Sequence, residues 1–266
     1  MQTKTIIQKW YDLLEFPAEY DAEFAAALGS YEIPADVTVD SYDRNCTDGK
    51  RNLLTFLYLC EAVQEKANER GIPQEIVVET LKDIVIWTKA YTEMKGELYL
   101  GELGWLRIHM QFTMFRLGRL QFRMAKAFRD IPEAGILKGD PVMEIHIPRG
   151  GKLTPSECEA SLNWAREFFA TFFPEFSYTC FTCNSWLLDE DLKEYLPEES
   201  NIIRFGNLFT KVYHKELNCL LSSVFRDDTT EENLADAVCT SSFAQKVKDA
   251  VLAGKKFHMT LGFILK

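Results

Sequence analysis

The stretch from Val142 to Phe172 constrains the chain more than any other. Met143, Ile145 and Ile147 alternate with Val142, Glu144 and His146. That is the two-residue period of a strand with an apolar and a polar face, and it stops at Pro148. Next comes a short turn, Arg149-Gly150-Gly151-Lys152, and then Thr154-Pro155-Ser156-Glu157. In that tetrapeptide Thr154 is placed as N-cap, Pro155 at the first helical position and Glu157 at the third, the arrangement of a capping box. Cys158, Leu162, Ala165, Phe169 and Phe172 then step by three and four residues, so the spacing predicts a long helix that ends before Pro174.

A helix start of this kind gathers unpaired N–H groups and a partial positive charge, which favours phosphate or carboxylate. Gly150-Gly151 lets backbone come close to a ligand, and Arg149 and Lys152 offer charge-assisted partners. The same two glycines would serve equally to turn a strand into a helix, so both readings stand. The turn matches neither the Gly-x-x-x-x-Gly-Lys-Ser/Thr nucleotide loop nor the dinucleotide Gly-x-Gly-x-x-Gly.

The formal charge of −10 over 266 residues argues against nucleic acid or an anionic membrane as partner, since both would be repelled. No run approaches the roughly 18 apolar residues of a membrane helix, and the opening Met1-Gln2-Thr3-Lys4 leads into an amphipathic pattern rather than a signal peptide. A cytoplasmic protein is expected, with its seven cysteines as reduced thiols. Cys180 and Cys183 fall on opposite faces of a predicted strand and no second Cys-x-x-Cys follows, so no metal site is expected there.

The first hundred residues read mainly as helix: Ile6, Trp10 and Leu13 share one face, Leu53, Leu57 and Cys60 another, and Val77, Leu81 and Ile84 a third. From about Gly101 strands enter. Leu120, Phe122 and Met124 alternate with Arg119, Gln121 and Arg123, one buried and one polar face; Arg116, Arg119 and Arg123 could meet phosphates or an acidic acceptor, and for Arg119 and Arg123 a solvated outer face is expected. Further strands are predicted over Tyr178 to Trp186, Asn201 to Phe209 and Phe257 to Leu265. Helices are predicted from about Asp189 to Tyr195, Glu231 to Ala237 and Phe243 to Ala253. The order specifies an α+β chain, with a helical domain over 1–100 and a mixed-sheet domain over 101–266.

Several blocks carry a family resemblance: Leu103-Gly104-Trp105, Phe115-Arg116-Leu117-Gly118-Arg119-Leu120-Gln121-Phe122, His146-Ile147-Pro148-Arg149-Gly150-Gly151, Ser185-Trp186-Leu187-Leu188-Asp189 and Ser200-Asn201-Ile202-Ile203-Arg204-Phe205. On these the chain resembles bacterial acyltransferases built from an N-acyltransferase N-terminal helical domain and a GNAT-like C-terminal domain. The resemblance implies a fold that binds acyl-CoA and passes its acyl group to an amine, the donor's pyrophosphate resting on the turn after the strand. It implies acyl-CoA as co-substrate, held by Arg149, Gly150, Gly151, Lys152, Leu153 and Thr154 with help from Arg116. The usual turn reads Arg/Gln-x-x-Gly-x-Gly/Ala, and here it is Pro-Arg-Gly-Gly-Lys.

Acylating an amine from a thioester needs a base for the ammonium proton, a donor for the thioester oxygen and an acid for the leaving thiolate. Glu144 and His146 share the polar strand face and are the candidates for the base. Both also fit structural roles. Cys183, Ser185 and Tyr195 are the candidates for proton donor or acyl contact that the family fold implies. The expected function is transfer of an acyl group to a small-molecule amine. The alternative is a non-catalytic protein that binds an acyl thioester or a protein partner. Acyl chain, acceptor and oligomeric state are not legible in the residues.

Overall fold

A computed structural model describes residues 3–225 and 228–266. The chain resolves into two compact units, one running through Leu117 and including Gln121–Arg123, the other holding Gly118–Leu120 and Met124–Lys266.

The first unit is built from helices α1 (Thr3–Leu13), α2 (Asp21–Ser30), α3 (Gly49–Arg70), α4 (Gln74–Leu81), α5 (Asp83–Lys95) and α6 (Leu103–Met110). Helix α3 is its axis. Asp48 caps it by accepting from the N–H groups of Lys50 and Arg51, and Gly71 ends it in the left-handed region, φ 71°, that glycine enters without a Cβ penalty. Leu53, Leu54, Phe56, Leu57 and Cys60 are fully buried, each large apolar side chain contributing about 1.5–3 kcal/mol of transfer free energy. Trp10 of α1 is equally buried, and its ring N–H donates to Glu61 on α3 at 2.7 Å.

Two sequence expectations need correcting here. Val77, Leu81 and Ile84 do not share a helix, because α4 ends at Leu81 and α5 begins at Asp83. Gln121, on the polar side of the strand alternation, is not at the surface: it is completely buried, and its side-chain amide donates to Asp83 Oδ1 at 2.9 Å. Trp105 Nε1 reaches Asp83 Oδ2 at 2.8 Å, and His109 Nε2 lies 3.3 Å from the same oxygen. Burial alone would raise this carboxyl's pKa, but the hydrogen bond and charge of His109, with those from Trp105 and Gln121, hold it below the usual range.

Among the described residues, six strands follow the order β1-β2-β3-β4-β6-β5, where β1 is Met114–Leu117, β2 Leu120–Lys126, β3 Pro141–His146, β4 Cys180–Ser185, β5 Thr210–Glu216 and β6 His258–Leu265. In the second unit β3 and β4 run parallel, Met143 opposite Phe181 and Glu144 opposite Thr182. Helix α7 (Pro155–Phe172) makes the crossover a parallel pair requires. Its apolar stripe of Cys158, Leu162, Ala165, Phe168 and Phe169 is buried. Strand β6 pairs antiparallel with both β4 and β5. Thr260 and Gly262 are buried as well as Leu261 and Phe263, so both faces of β6 are covered, and a Cβ on Gly262 would stand 2.8 Å from the Phe209 side chain.

The predicted strand at Asn201–Phe209 is instead a short helix, α8 (Asn201–Gly206), because Ser200 caps it by accepting from Ile203 N–H at 3.2 Å. The strand of this region is β5, whose exposed Thr210, His214, Lys215 and Glu216 hide any alternation. Glu231 to Ala237 yields only a 3-10 turn at Leu234–Asp236, and Asp189 to Tyr195 a 3-10 helix at Glu190–Glu194. Helices α9 (Leu221–Val224) and α10 (Ser242–Leu252) complete the unit.

Asp83→Asn keeps the shape but removes the charge that three donors converge on, and loss of one partner from a buried ion pair typically costs about 3–5 kcal/mol. Urea denaturation near neutral pH is expected to show a loss of that order. Because the folded-state pKa is depressed, this stabilisation is fully present above the ordinary carboxylate value of about 4 and is lost as pH falls through the lowered one. The deficit of the variant should therefore shrink in acid, and a deficit independent of pH would refute the assignment.

Candidate active site

Met143–Phe181 and Glu144–Thr182 pair across the β3–β4 ladder, and Ile145–His146 and Asn184–Ser185 continue toward the same end. A cavity of about 620 Å³ lies at that end. Ile145, His146 and Ile147 line it from the β3 side, and Asn184, Ser185 and Trp186 from the β4 side. Pro148, Arg149, Gly150, Gly151 and Leu153 bring the turn to it. Asn201 and Ile202 of α8, with Ser222, Ser223 and Phe225 at α9, form a further wall.

Gly150 and Gly151 both take positive φ, 80° and 70°, a conformation that only glycine adopts cheaply twice in succession. Thr154 caps α7 as expected: its Oγ1 accepts from Glu157 N–H at 3.4 Å and donates to the Glu157 carboxylate. Arg149, Gly150, Gly151 and Lys152 are exposed, and Leu153 is buried beneath them.

Arg119 is the chief correction to the sequence reading. It stands in the hairpin turn between β1 and β2 and lines the cavity rather than a solvated outer face. Its guanidinium donates from Nε to Lys152 O at 3.0 Å, from Nη1 to Pro148 O at 3.0 Å and from Nη2 to Gly151 O at 3.4 Å. Its backbone N–H donates to Ser161 Oγ on α7 at 2.9 Å. Arg116 belongs to the first unit, in β1, where its backbone N–H donates to Thr80 Oγ1.

The candidates for acid–base work separate clearly. Glu144 and His146 are half-buried neighbours, Glu144 Oε2 standing 3.5 Å from His146 Nε2. His146 lines the large cavity. Glu144 borders a small cleft of about 10 Å³ alongside Arg129, Ile131 and Thr182. Ser185 lines the large cavity and its Oγ accepts from Leu187 N–H at 3.2 Å. Cys183 and Tyr195 are not brought to the cavity. Cys183 is 1% exposed, and burial first, the Glu144 charge second, push its thiol far up in pKa. Tyr195 packs its ring 5.4 Å from that of Phe257.

Asn184, Asn201, Ser222 and Ser223 are cavity residues that the sequence did not single out. Only the Ser200 cap, which starts α8 at Asn201, left a signal. Asp189, Asp191 and His258 place ligand atoms within 4.8 Å of one another. Their atoms are engaged by protein: Asp189 accepts from the N–H groups of Asp191 and His258, and Asp191 pairs with Lys255 at 2.7 Å. This cluster fastens the chain after β4 to the start of β6.

Residues 114–264 match the family described as the GNAT-like C-terminal domain, and residues 7–112 the N-acyltransferase N-terminal domain. No protein of curated function matches in sequence. Among solved structures, an acyltransferase in complex with decanoyl-CoA and teicoplanin superposes with TM-score 0.80 at 26% identity, over 97% of this chain and 87% of the other. An acyltransferase in complex with CoA and 10C-teicoplanin gives 0.81 at 27% identity with the same coverage. The chain belongs to the acyltransferase family that joins an N-acyltransferase N-terminal domain to a GNAT-like C-terminal domain.

Proposed function

We propose that this acyltransferase takes its acyl group from acyl-CoA and passes it directly to an amine, with no acyl-enzyme intermediate. The observation that carries the reading is the 620 Å³ cavity, which has the glycine turn on one wall and on another His146, whose ring lies 3.5 Å from the Glu144 carboxylate behind it. The turn suits a diphosphate: left-handed glycines at its crest, the capped N-terminus of α7 behind it and Arg149 beside it. The apolar side chains of Ile145, Ile147, Trp186 and Ile202 suit the pantetheine and acyl portions.

In this reading His146 accepts the proton that the ammonium must lose before it can attack, and Glu144, 3.5 Å away, orients the ring and balances the charge it gains. Ser185, facing the cavity, is better placed than Tyr195 to relay to the departing thiolate the second proton, which the attacking nitrogen sheds once it has bonded the carbonyl carbon. Cys183 takes no part, since a buried thiol with a raised pKa offers little thiolate for attack. The solved acyltransferases hold teicoplanin, so the acceptor panel should extend from small amines and amino acids to amine-bearing compounds of that size.

Release of free thiol from a series of acyl-CoAs, each mixed with that panel, is the direct assay. His146→Ala is expected to lower kcat about 100-fold or more and Glu144→Gln by a smaller factor. Wild-type turnover retained by both variants would remove the pair from the mechanism, and no thermal shift with any CoA derivative would sink the donor assignment.

A second measurement addresses the direct route. Cys183→Ala, assayed where circular dichroism shows it folded, should keep kcat within a few-fold of wild type. Rapid-quench experiments should find no acylated protein; a covalent acyl adduct lost on this substitution would reverse the conclusion.

A further inference from the structure

We propose that Arg119, on the β1–β2 hairpin, is a positioning residue that holds the Pro148–Lys152 turn in its diphosphate-binding shape; the inference rests on the acyl-CoA reading above. An anion seat made of backbone needs its N–H groups directed at the ligand and its carbonyl oxygens directed elsewhere, because a carbonyl dipole repels a phosphate. The Gly150–Gly151 conformation supplies the curl, but an exposed turn with two glycines has many other conformations available to it. Something must select one of them.

The guanidinium does so by geometry. Its three nitrogens take the carbonyls of Pro148, Gly151 and Lys152, so one planar group ties both ends of the turn and draws its oxygens to a common point. The hairpin that carries Arg119 is itself fastened. Its backbone N–H is held by Ser161 Oγ, and Ser161 is 1% exposed in the helix that the turn leads into. Gly118 makes that close approach possible: it takes φ 74°, and a Cβ there would come within 2.9 Å of Ser161 Oγ. Turn, helix α7, Ser161 and Arg119 thus close a ring of contacts, and the ordering cost is met in folding rather than in ligand binding.

The departure of the turn from the usual glycine motif then has a physical counterpart. Part of what holds its shape comes from a hairpin some thirty residues upstream, the separation between Arg119 and Lys152 being 33 positions. A lysine cannot substitute, since a single ammonium on a flexible stem cannot span three carbonyls in one plane.

The test compares equilibrium binding of CoA and of a fatty-acyl pantetheine, which lacks the diphosphate, by titration calorimetry. No acceptor is needed. Wild type should bind CoA, and the acyl pantetheine should bind without help from the turn. Arg119→Lys and Arg119→Met are each expected to weaken CoA binding tenfold or more and leave acyl-pantetheine binding within twofold. Ser161→Ala, which keeps the guanidinium but loosens its anchor, should weaken CoA binding by a few-fold and serves if the Arg119 variants do not fold. Full retention of CoA affinity in Arg119→Lys would overturn the proposal in favour of a simple charge effect, and equal loss of both ligands would overturn it in favour of general disorder. If wild type itself binds no CoA, the functional reading fails first, and the two failures are told apart.

Discussion

Parallel pairing between β3 and β4 is the constraint on which the second unit depends. Parallel strands cannot be joined by a tight turn, so a crossover is required, and α7 supplies it. That places a helix N-terminus one short connection, residues 147–154, beyond the end of a strand. With the register set by Met143–Phe181 and Glu144–Thr182, the residues that follow on each strand are Ile145 and His146 on one side and Asn184 and Ser185 on the other, and these border the cavity. The glycine turn, the His146–Glu144 pair and the cavity are therefore consequences of one topological choice rather than separate inventions.

Around that choice, buried charges fix the remaining geometry. In the helical unit Asp83 gathers Trp105, His109 and Gln121 at distances of 2.8 to 3.3 Å. In the other unit Asp189, 4% exposed, accepts from His258 N–H at 2.6 Å and from Asp191 N–H at 3.1 Å, joining the segment after β4 to the first residue of β6. A carboxylate so placed tolerates few alternative arrangements, because an unpartnered buried charge is far more costly than a misplaced apolar group. These two acids stabilise particular arrangements more than they add to overall stability.

Periodicity made the apolar architecture legible. The β3 alternation, the α7 stripe and the Thr154 cap all lie where the residues place them, since each depends on neighbours within one or two turns. What stayed hidden depends on distant partners. Gln121 and Arg119 look like members of a polar strand face until Asp83 and the turn carbonyls are known to meet them. Asn201–Phe209 carries enough Ile and Phe for a strand, and only the Ser200 cap betrays a helix. Cys183 is plausible chemistry in a sequence, whereas its burial is a property of the packed sheet.

An acidic chain that receives an acidic ligand poses a last question of magnitude. A formal charge of −10 repels a diphosphate at long range, yet the Debye length near 8 Å at physiological salt confines that repulsion, so the groups lining the proposed seat decide. Arg149 and Arg119 line it, Lys152 adjoins it, and the partial charge of the α7 N-terminus adds to them. Arg119 directs its guanidinium to carbonyl oxygens, and in the proposed seat it thereby cancels dipoles that would oppose the anion and keeps its positive charge within the same wall of the cavity. On the proposed reading, a side chain serving as both clamp and charge makes the turn a better anion seat than its glycines alone.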